Sequence, residues 1–162
     1  MTHELRRNDL EITDAEQIER LLHAARYATV ALADGAQPYL VTLSCGYESA
    51  RRRLCFHVAP KGRKLDIIAA NPLACATIVA DKGYLKGECA HPYDSVVAFG
   101  RMRVLEDAGE VRGAMRTLMA QLESPEAQVA LWKKHDLDTD AALSRFRMLV
   151  FEIDDLSAKS GQ

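Results

Sequence analysis

The stretch ATVALADGAQPYLVTLSCGY, residues 28 to 47, contains two runs of apolar and β-branched residues separated by Asp34-Gly35-Ala36. A glycine-containing turn between two such runs predicts an antiparallel β-hairpin, with strands at 28–34 and 37–47. The run RRLCFHV, residues 52 to 58, predicts a third strand directly after the hairpin. We therefore expect a fold built on short strands joined by tight turns.

Further strands and a few helices are predicted in the rest of the chain. Strands are predicted at 73–81, 95–107, where Gly100 is a natural position for a bulge, and 146–154. Helices are predicted at 14–26, from about 61 to the Asn71-Pro72 pair, at 109–122 and around 127–132. Most of the predicted strands are not separated by helices, which favours a mainly β (α+β) fold: an antiparallel barrel with helices outside it. A doubly wound parallel sheet needs a helix after nearly every strand.

The first helix carries its own start signal. Thr13 and Glu16 form a capping-box pattern, and apolar residues then recur at helical spacing. Thr13 is therefore predicted to cap a helix over 14–26, which we expect to pack outside the barrel.

Composition limits the domain count and the class of partner. With 162 residues, 48% of them apolar, the chain is expected to form a single domain over 1–162. The net charge of −2 gives no general reason to bind nucleic acid or an anionic membrane. The N-terminal residues lack the apolar core of a signal peptide, and Asn71, Pro72 and Asp81 interrupt the most apolar region. These features predict a soluble, cytoplasmic protein.

The cysteines Cys45, Cys55, Cys75 and Cys89 contain no C-x-x-C pair, which disfavours a structural zinc site. Three of them lie in strand-like apolar runs and are expected to be buried and reduced. Cys89 with His91 resembles at most a fragment of a metal site, so we predict no metal centre.

Three cations stand at the predicted start of the second helix: Lys61, Arg63 and Lys64. The helix macrodipole is positive at this end, so the cations are unfavourable there unless an anion binds between them and the free N–H groups. The residues alone leave two alternatives about equally open: an anion site and a solvated helix end.

The stretches PYLVTLSCGYE (38–48), LCFHVAPKGRKLDIIAANP (54–72) and CAHPYDSVVAFGRMRVLED (89–107) occur in this order. Together they resemble the pyridoxamine 5′-phosphate oxidase-related flavoproteins, in particular the branch of the nitroimidazole-resistance (Nim) proteins. The resemblance implies a split β-barrel that forms a homodimer and holds FMN in a groove at the subunit interface. It also implies that the anion at the second helix is the FMN phosphate.

The resemblance assigns residues as follows: the phosphate to Lys64, Arg63 and Lys61; the rest of FMN to His57, Thr42, Leu43, Ser44, Ser95 and Val96; and the substrate side to His91 and Tyr93. It identifies no catalytic residue. The basic substrate-binding pattern of the vitamin B6 oxidases is not recognisable in residues 146–162. Reduction of a small nitroaromatic or related acceptor is therefore expected, rather than oxidation of pyridoxamine phosphate.

Two other classes of function remain open. The chain is alternatively a non-enzymatic flavin- or haem-binding module for storage, sensing or electron transfer, in which His57 or His91 ligates the iron. It is otherwise a structural or regulatory dimer whose basic helix end is only solvated. An absorption spectrum distinguishes these alternatives.

Overall fold

This computed structural model describes residues 7–161 of the chain, which contain six strands and five α-helices. The strands are β1 (Tyr27–Asp34), β2 (Gln37–Glu48), β3 (Arg53–Val58), β4 (Leu73–Asp81), β5 (Tyr93–Val104) and β6 (Arg147–Gly161). The helices are α1 (Ala15–Ala24), α2 (Arg63–Ala70), α3 (Ala108–Leu122), α4 (Pro125–Lys134) and α5 (Asp140–Leu143).

The strands close into a barrel in the order β1-β2-β3-β6-β5-β4, and each pairing is antiparallel. The predicted hairpin forms the first pair, with Asp34 opposite Gln37 and Gly35 at a φ of 60° in the turn. Glycine adopts this left-handed conformation without a steric penalty. The predicted antiparallel barrel with flanking helices is confirmed, and the fold is a split-barrel-like α+β fold.

Apolar side chains at every second position of the strands fill the barrel. Ala28, Val30 and Leu32 of β1 point inward, and Phe56 and Val58 of β3 join the same buried cluster. Residues between them on each strand point outward, as the two-residue period of a strand requires. The barrel interior is therefore an apolar core and not a ligand cavity.

A second buried cluster lies outside the barrel and fixes α3. Cys55 of β3 and Met148 and Val150 of β6 pack there against Met115 and Leu118 of α3. Gly46 of β2 makes this contact close, because a Cβ at position 46 would lie 2.5 Å from the Leu118 Cα. The second cluster holds α3 beside β2 and β3, where it forms one side of a groove.

Helix α1 begins at Ala15, and its cap differs from the prediction. Asp14 is the N-cap residue, and its Oδ1 accepts a hydrogen bond from the Glu16 N–H at 2.9 Å. The predicted capping box of Thr13 and Glu16 is therefore wrong; Asp is at least as good a cap as Thr and lies one residue closer to the helix. Leu22 joins the barrel core, and α1 contacts β2, β4 and β5, so it covers an end of the barrel.

The last two strands differ from prediction in their bounds. The final strand extends to Gly161 instead of 154, because the polar residues 155–161 continue the ladder with β5. The predicted irregularity at Gly100 is confirmed: Phe99 pairs with Asp155 and Gly100 with Ile153, so the extra residue lies on β6. The backbone of β6 approaches so closely that a Cβ at position 100 would overlap the Glu152 carbonyl oxygen.

The helices agree with prediction more closely. The helix expected at 109–122 is α3, and α4 is longer than the expected 127–132. Helix α5 was not predicted, since four residues are too short for a periodic signal. None of the helices within residues 7–161 is long and apolar enough to cross a membrane.

Candidate functional site

A groove of about 700 Å³ opens on the outside of the barrel where β2 and β3 diverge. The two strands pair only from Cys45 to Glu48 on β2, and the groove begins next to Ser44. One side, the strand wall, is formed by residues 42–44 and 57–60. The other side, the helical wall, is formed by α3, α4 and parts of the segment 135–146. This volume lies within the roughly 300–1,000 Å³ typical of small-molecule sites.

Thr42, Leu43 and Ser44 lie on the strand wall, where the resemblance implied a flavin contact. Leu43 packs against the barrel core, whereas Thr42 and Ser44 lie at the outward positions. The Thr42 hydroxyl is 3.0 Å from the Thr29 hydroxyl of β1, so these two side chains hydrogen-bond each other. A bound ring would therefore meet mainly the backbone here and the side chain of Ser44.

His57 points outward into the same groove, opposite to Phe56 and Val58, because side chains alternate along β3. Its ring packs against Phe146, with ring centroids 4.8 Å apart. Although the residue is exposed, this partial enclosure lowers the pKa of His57, and the nearby His135 lowers it further. His57 is accordingly neutral near pH 7 and presents a polar ring edge to an otherwise apolar groove.

The cationic helix start continues the strand wall. Helix α2 begins at Arg63 with Gly62 at the N-cap, so Lys61 precedes the helix. Gly62 has no side chain to accept the first N–H groups, and its φ is 145°. A Cβ added there would lie 3.9 Å from Lys64 Nζ, which shows that the ammonium group folds back over the helix start. Free N–H groups and an ammonium group thus share one small region.

The Arg63 side chain is already paired with a carboxylate of this chain. Its Nη2 and Nε donate to Asp34 Oδ2 at 3.0 and 3.2 Å, and its guanidinium lies 5.2 Å from the centre of the Tyr39 ring. Part of the electrostatic penalty at this helix start is thereby relieved within the chain. Lys64, half-buried, and the exposed Lys61 have no ion-pair partner among the described residues.

Four of the predicted site residues lie away from the groove: Ser95, Val96, His91 and Tyr93. The order of the strands separates Ser95 on β5 from Ser44 on β2 by three spacings, roughly 14 Å at about 4.8 Å each. The Val96 side chain is 1% exposed inside the barrel, and its carbonyl accepts from the Thr77 hydroxyl at 3.0 Å. Because β5 alternation turns the Val96 side chain inward, only the backbone of Val96 is left to contact a cofactor, and the assignment of Val96 stays a prediction.

His91 belongs to a separate polar cluster at the end of β4. Its Nε2 lies 2.8 Å from Asp81 Oδ1, and its ring packs edge-on against Tyr84 with centroids 5.9 Å apart. The Gly83 N–H and then His91 hold the pKa of Asp81 below its usual range. Within a single chain, the structure does not bring His91 and Tyr93 to the groove.

The helical wall contains residues that the sequence did not single out. Met115, Met119, Leu131, His135 and Arg145 line it. The apolar members read as ordinary helix-packing positions, and no local pattern joins His135 or Arg145 to a strand some 80 residues earlier. The only sequence signal that could have indicated this wall was the pair Met115 and Met119, four residues apart. The same spacing fits ordinary core packing equally well.

The cysteines show no metal chemistry within residues 7–161. Cys45 and Cys55 are buried, and burial raises the pKa of each thiol to about 12. Cys75 is half-buried and Cys89 is exposed, and all four are free thiols. Residues 7–161 contain no group of three or more His, Cys, Asp or Glu side chains placed to hold a metal ion.

The sequence matches one known protein family along most of its length. The model of a family described as pyridoxamine 5′-phosphate oxidase matches residues 14–160, which is most of the chain. The chain belongs to the pyridoxamine 5′-phosphate oxidase family. The matched range of this family includes the strand wall, the start of α2 and the helical wall. No curated protein matches the chain significantly in sequence.

Solved structures share the fold of this family member. A candidate 5-nitroimidazole antibiotic resistance protein from Bacteroides thetaiotaomicron has a TM-score of 0.75 and 22% identity, covering 93% of this chain and 86% of that one. The FAD- and haem-binding protein from Mycobacterium smegmatis has a TM-score of 0.75 and 22% identity, covering 94% and 73%. The flavocytochrome Anf3 from Azotobacter vinelandii has a TM-score of 0.78 and 18% identity, covering 99% and 73%.

Proposed function

We propose that the protein binds FMN along the strand wall and is an oxidoreductase that reduces small acceptors. One observation carries the proposal: the strand wall runs without interruption from His57 to an uncapped, cationic helix start. A flat ring with a phosphate at the end of a chain matches that order of surfaces. Free N–H groups at a helix start and a nearby ammonium group are the donors that a phosphate dianion prefers.

The strand wall suits the ring of FMN, and the start of α2 suits its phosphate. Backbone groups of residues 42–44 can bond the polar edge of the ring, while Ala59 and Pro60 border its face. Gly62 allows close approach of a phosphate because a side chain there would occupy the space beside Lys64 Nζ. FMN is preferred to FAD because its terminal phosphate monoester is the dianion that best matches Lys61 and Lys64.

Bound flavin supplies the redox chemistry, and the chain supplies position and surroundings. The apolar helical wall excludes water from one side of the ring, and neutral His57 offers a hydrogen-bonding edge without a fixed charge. We assign no catalytic residue in this chain. The neighbour described as a 5-nitroimidazole resistance protein and the family membership support small nitroaromatic compounds as acceptors. Oxidation of a pyridoxamine phosphate-like compound is the other reaction that the family suggests.

We further propose that the protein is a cytoplasmic homodimer. The outer face of the barrel carries large apolar side chains that are more than half exposed: Tyr27 at 62%, Leu40 at 66%, Leu73 at 54%, Val79 at 57% and Phe99 at 52%. Register places Leu40, Ala31, Cys75 and Phe99 in one row across four adjacent strands. A contiguous apolar face of this kind is rarely left in water. A second copy of the barrel would cover it, burying more than about 2,000 Å².

Dimerisation would also account for the residues that lie far from the groove. Ser95, His91 and Tyr93 lie on or beside the strands that carry this apolar face. A partner chain can therefore bring them to the groove even though one chain does not.

The absorption spectrum of the purified protein tests the proposal. Flavin bands, with FMN identified after denaturation and chromatography of the released cofactor, are the expected result. Reduction of a nitroaromatic acceptor by the FMN-loaded protein, with added reductant, then tests the reaction. Protein that is colourless and does not take up added FMN would contradict the proposal.

A haem site in the same groove is the second candidate. His57 and His135 both line the groove, together with the thioethers of Met115 and Met119, and histidine and methionine are the axial ligands of b- and c-type haems. The haem-binding neighbour also supports this candidate. A strong Soret band that is lost in His57→Ala and kept in His91→Ala would favour haem in the groove. No Soret band after reconstitution with haemin would exclude it.

A further inference from the structure

The proposed FMN site uses only half of the groove. The ring and phosphate are assigned to residues 42–44 and 57–64, which gives the helical wall facing them no role beyond the exclusion of water. That wall is mostly apolar, with Leu131 from α4, Leu137 and Phe146 beside the methionines of α3. Small-molecule sites are lined mostly by apolar side chains with a few polar groups, and the helical wall has this composition.

Arg145 is the permanent positive charge in this wall. It precedes Phe146, whose ring contacts His57, so Arg145 lines the groove close to His57. Within residues 7–161 Arg145 makes no ion pair, and its own backbone N–H is already bonded to the Ala142 carbonyl. The other charged residue of the wall, Glu123, lies at the end of α3.

The nearby Arg147 does not share the position of Arg145. Its Nη1 donates to the carbonyls of Phe146 at 2.8 Å and Ser144 at 3.4 Å. Arg147 lines a different hollow beside α5. The fold therefore places one arginine of the pair in the groove and uses the other to hold the chain.

We propose that the helical wall is the acceptor site, and that Arg145 selects flat apolar acceptors bearing a carboxylate. The inference rests on the proposed function and specifies the substrate class of that same groove. The apolar side chains cover the faces of the acceptor, and the guanidinium binds its carboxylate at the groove edge. A guanidinium matches the two oxygens of a carboxylate, whereas a neutral amide gains no ionic attraction.

Equilibrium dialysis with a matched pair of probes tests this site. 4-Nitrobenzoate and its neutral counterpart 4-nitrobenzamide are dialysed against the oxidised, FMN-loaded protein without reductant, so that binding alone is measured. The wild type should bind the benzoate more tightly. Arg145→Gln should lower benzoate affinity by about tenfold and change amide affinity by less than about twofold, and Arg145→Lys should restore part of the loss.

Arg116→Gln is the control, because Arg116 stacks on Trp132 at 3.8 Å and lines a different hollow. It should leave both affinities unchanged. Equal loss of both probes in Arg145→Gln, or a wild type with no preference for the carboxylate, overturns the inference. The FMN dissociation constant is measured in the same variants. A fall in FMN affinity in Arg145→Gln would assign Arg145 to the cofactor and also overturn it.

The two proposals fail in different ways. If the wild type does not bind FMN, the proposed function is wrong. Dialysis of the probes against that protein still reports whether Arg145 confers a carboxylate preference. If FMN binds and the preference is absent, only the acceptor-site inference is wrong.

Discussion

Arg63 and Asp34 join the start of α2 to the turn between β1 and β2 through two hydrogen bonds to one carboxylate oxygen, at 3.0 and 3.2 Å. The pair is about half exposed, with side-chain exposures of 59% and 47%, so its contribution to stability is about 1 kcal/mol or less. Its larger effect is electrostatic. Asp34 neutralises one of the three cations that would otherwise act on an anion at this helix start.

Asp34→Asn should therefore raise FMN affinity by a few-fold, because it frees Arg63 and removes a negative charge near the proposed phosphate site. Riboflavin, which lacks the phosphate, should bind as before. Fluorescence titration of both ligands at low salt measures the effect, which should shrink as salt is added. Weaker FMN binding in Asp34→Asn would show that the pair is needed to hold the site in shape.

Lys64→Ala should lower FMN affinity by roughly tenfold to more than a hundredfold. It removes one charge-assisted hydrogen bond, expected to be worth about 1.5–3 kcal/mol. Riboflavin affinity should barely change, since the contact is to the phosphate. Flavin fluorescence titration of both ligands at one salt concentration provides the measurement.

Lys133→Ala is the matched control, because Lys133 lines a different hollow next to α4. It should bind both ligands as the wild type does. Equal losses of FMN and riboflavin in Lys64→Ala would assign Lys64 to the ring site or to the fold. Unchanged FMN binding would mean that the cluster is only a solvated helix end.

The proposed dimer depends on the outer face of the barrel. Phe99→Asp should convert the protein to a monomer at micromolar concentration, since it replaces the large apolar side chain at the β5 end of the apolar row with a charge. Val129→Asp is the control: Val129 is 71% exposed, but it lies on α4 and not on the barrel. Analytical ultracentrifugation measures both. A monomeric wild type, or a dimer that survives Phe99→Asp, would contradict the proposed interface.

A charge network around Glu110 predicts a loss of stability in acid. Arg103 donates to Glu110 at 3.1 Å, and the buried Arg53 lies 3.5 Å from it. Arg103, and to a smaller extent Arg53, hold the pKa of Glu110 below its ordinary value of 4.5 in the folded state. Stabilisation from a depressed carboxyl pKa is present above the unfolded-state value and is lost as the pH falls through the folded value.

Glu110→Gln should therefore make stability fall less steeply than in the wild type between about pH 5 and pH 3. Urea unfolding at a series of pH values measures the slope. The exposed Glu106, replaced by Gln, serves as a control that should follow the wild type. A slope that is the same in Glu110→Gln and in the wild type would show that the network contributes nothing to acid sensitivity.

Two glycines next to or within α3 should respond oppositely to the same substitution. Gly46→Ala brings a Cβ to 2.5 Å from the Leu118 Cα, so α3 must shift, and we expect a loss of about 1–3 kcal/mol in unfolding free energy. Gly113 is an exposed helix position whose added Cβ meets no atom within 4 Å. Gly113→Ala should gain about 0.5–1 kcal/mol from helix propensity.

Urea denaturation of both variants provides the measurement. Because Leu118 also lines the groove, Gly46→Ala should weaken FMN binding as well, and Gly113→Ala should not. A Gly46→Ala protein as stable as the wild type would mean that β2 and α3 do not pack as closely as the structure shows.

The sequence predicted elements well where a signal was local. The hairpin at Gly35 and the helix over 109–122 each follow from signals within a few residues. Prediction failed where two neighbouring residues could both cap a helix: the sequence favoured Thr13 for α1, and Asp14 is the cap. It also failed where pairing overrode composition, as in the polar end of β6, which forms a strand because β5 lies beside it.

By itself, the sequence determined the succession of turn-linked strands and the cationic start of α2, because turn chemistry, alternation and helix-end electrostatics act over a few residues. The tertiary structure alone decided which residues share a site. Closure of the barrel places Ser44 and His57 in one groove with Arg145, and turns Val96 into the core. It also paired Arg63 with Asp34. These outcomes depend on strand register and on contacts between residues far apart in the chain, which no local pattern encodes.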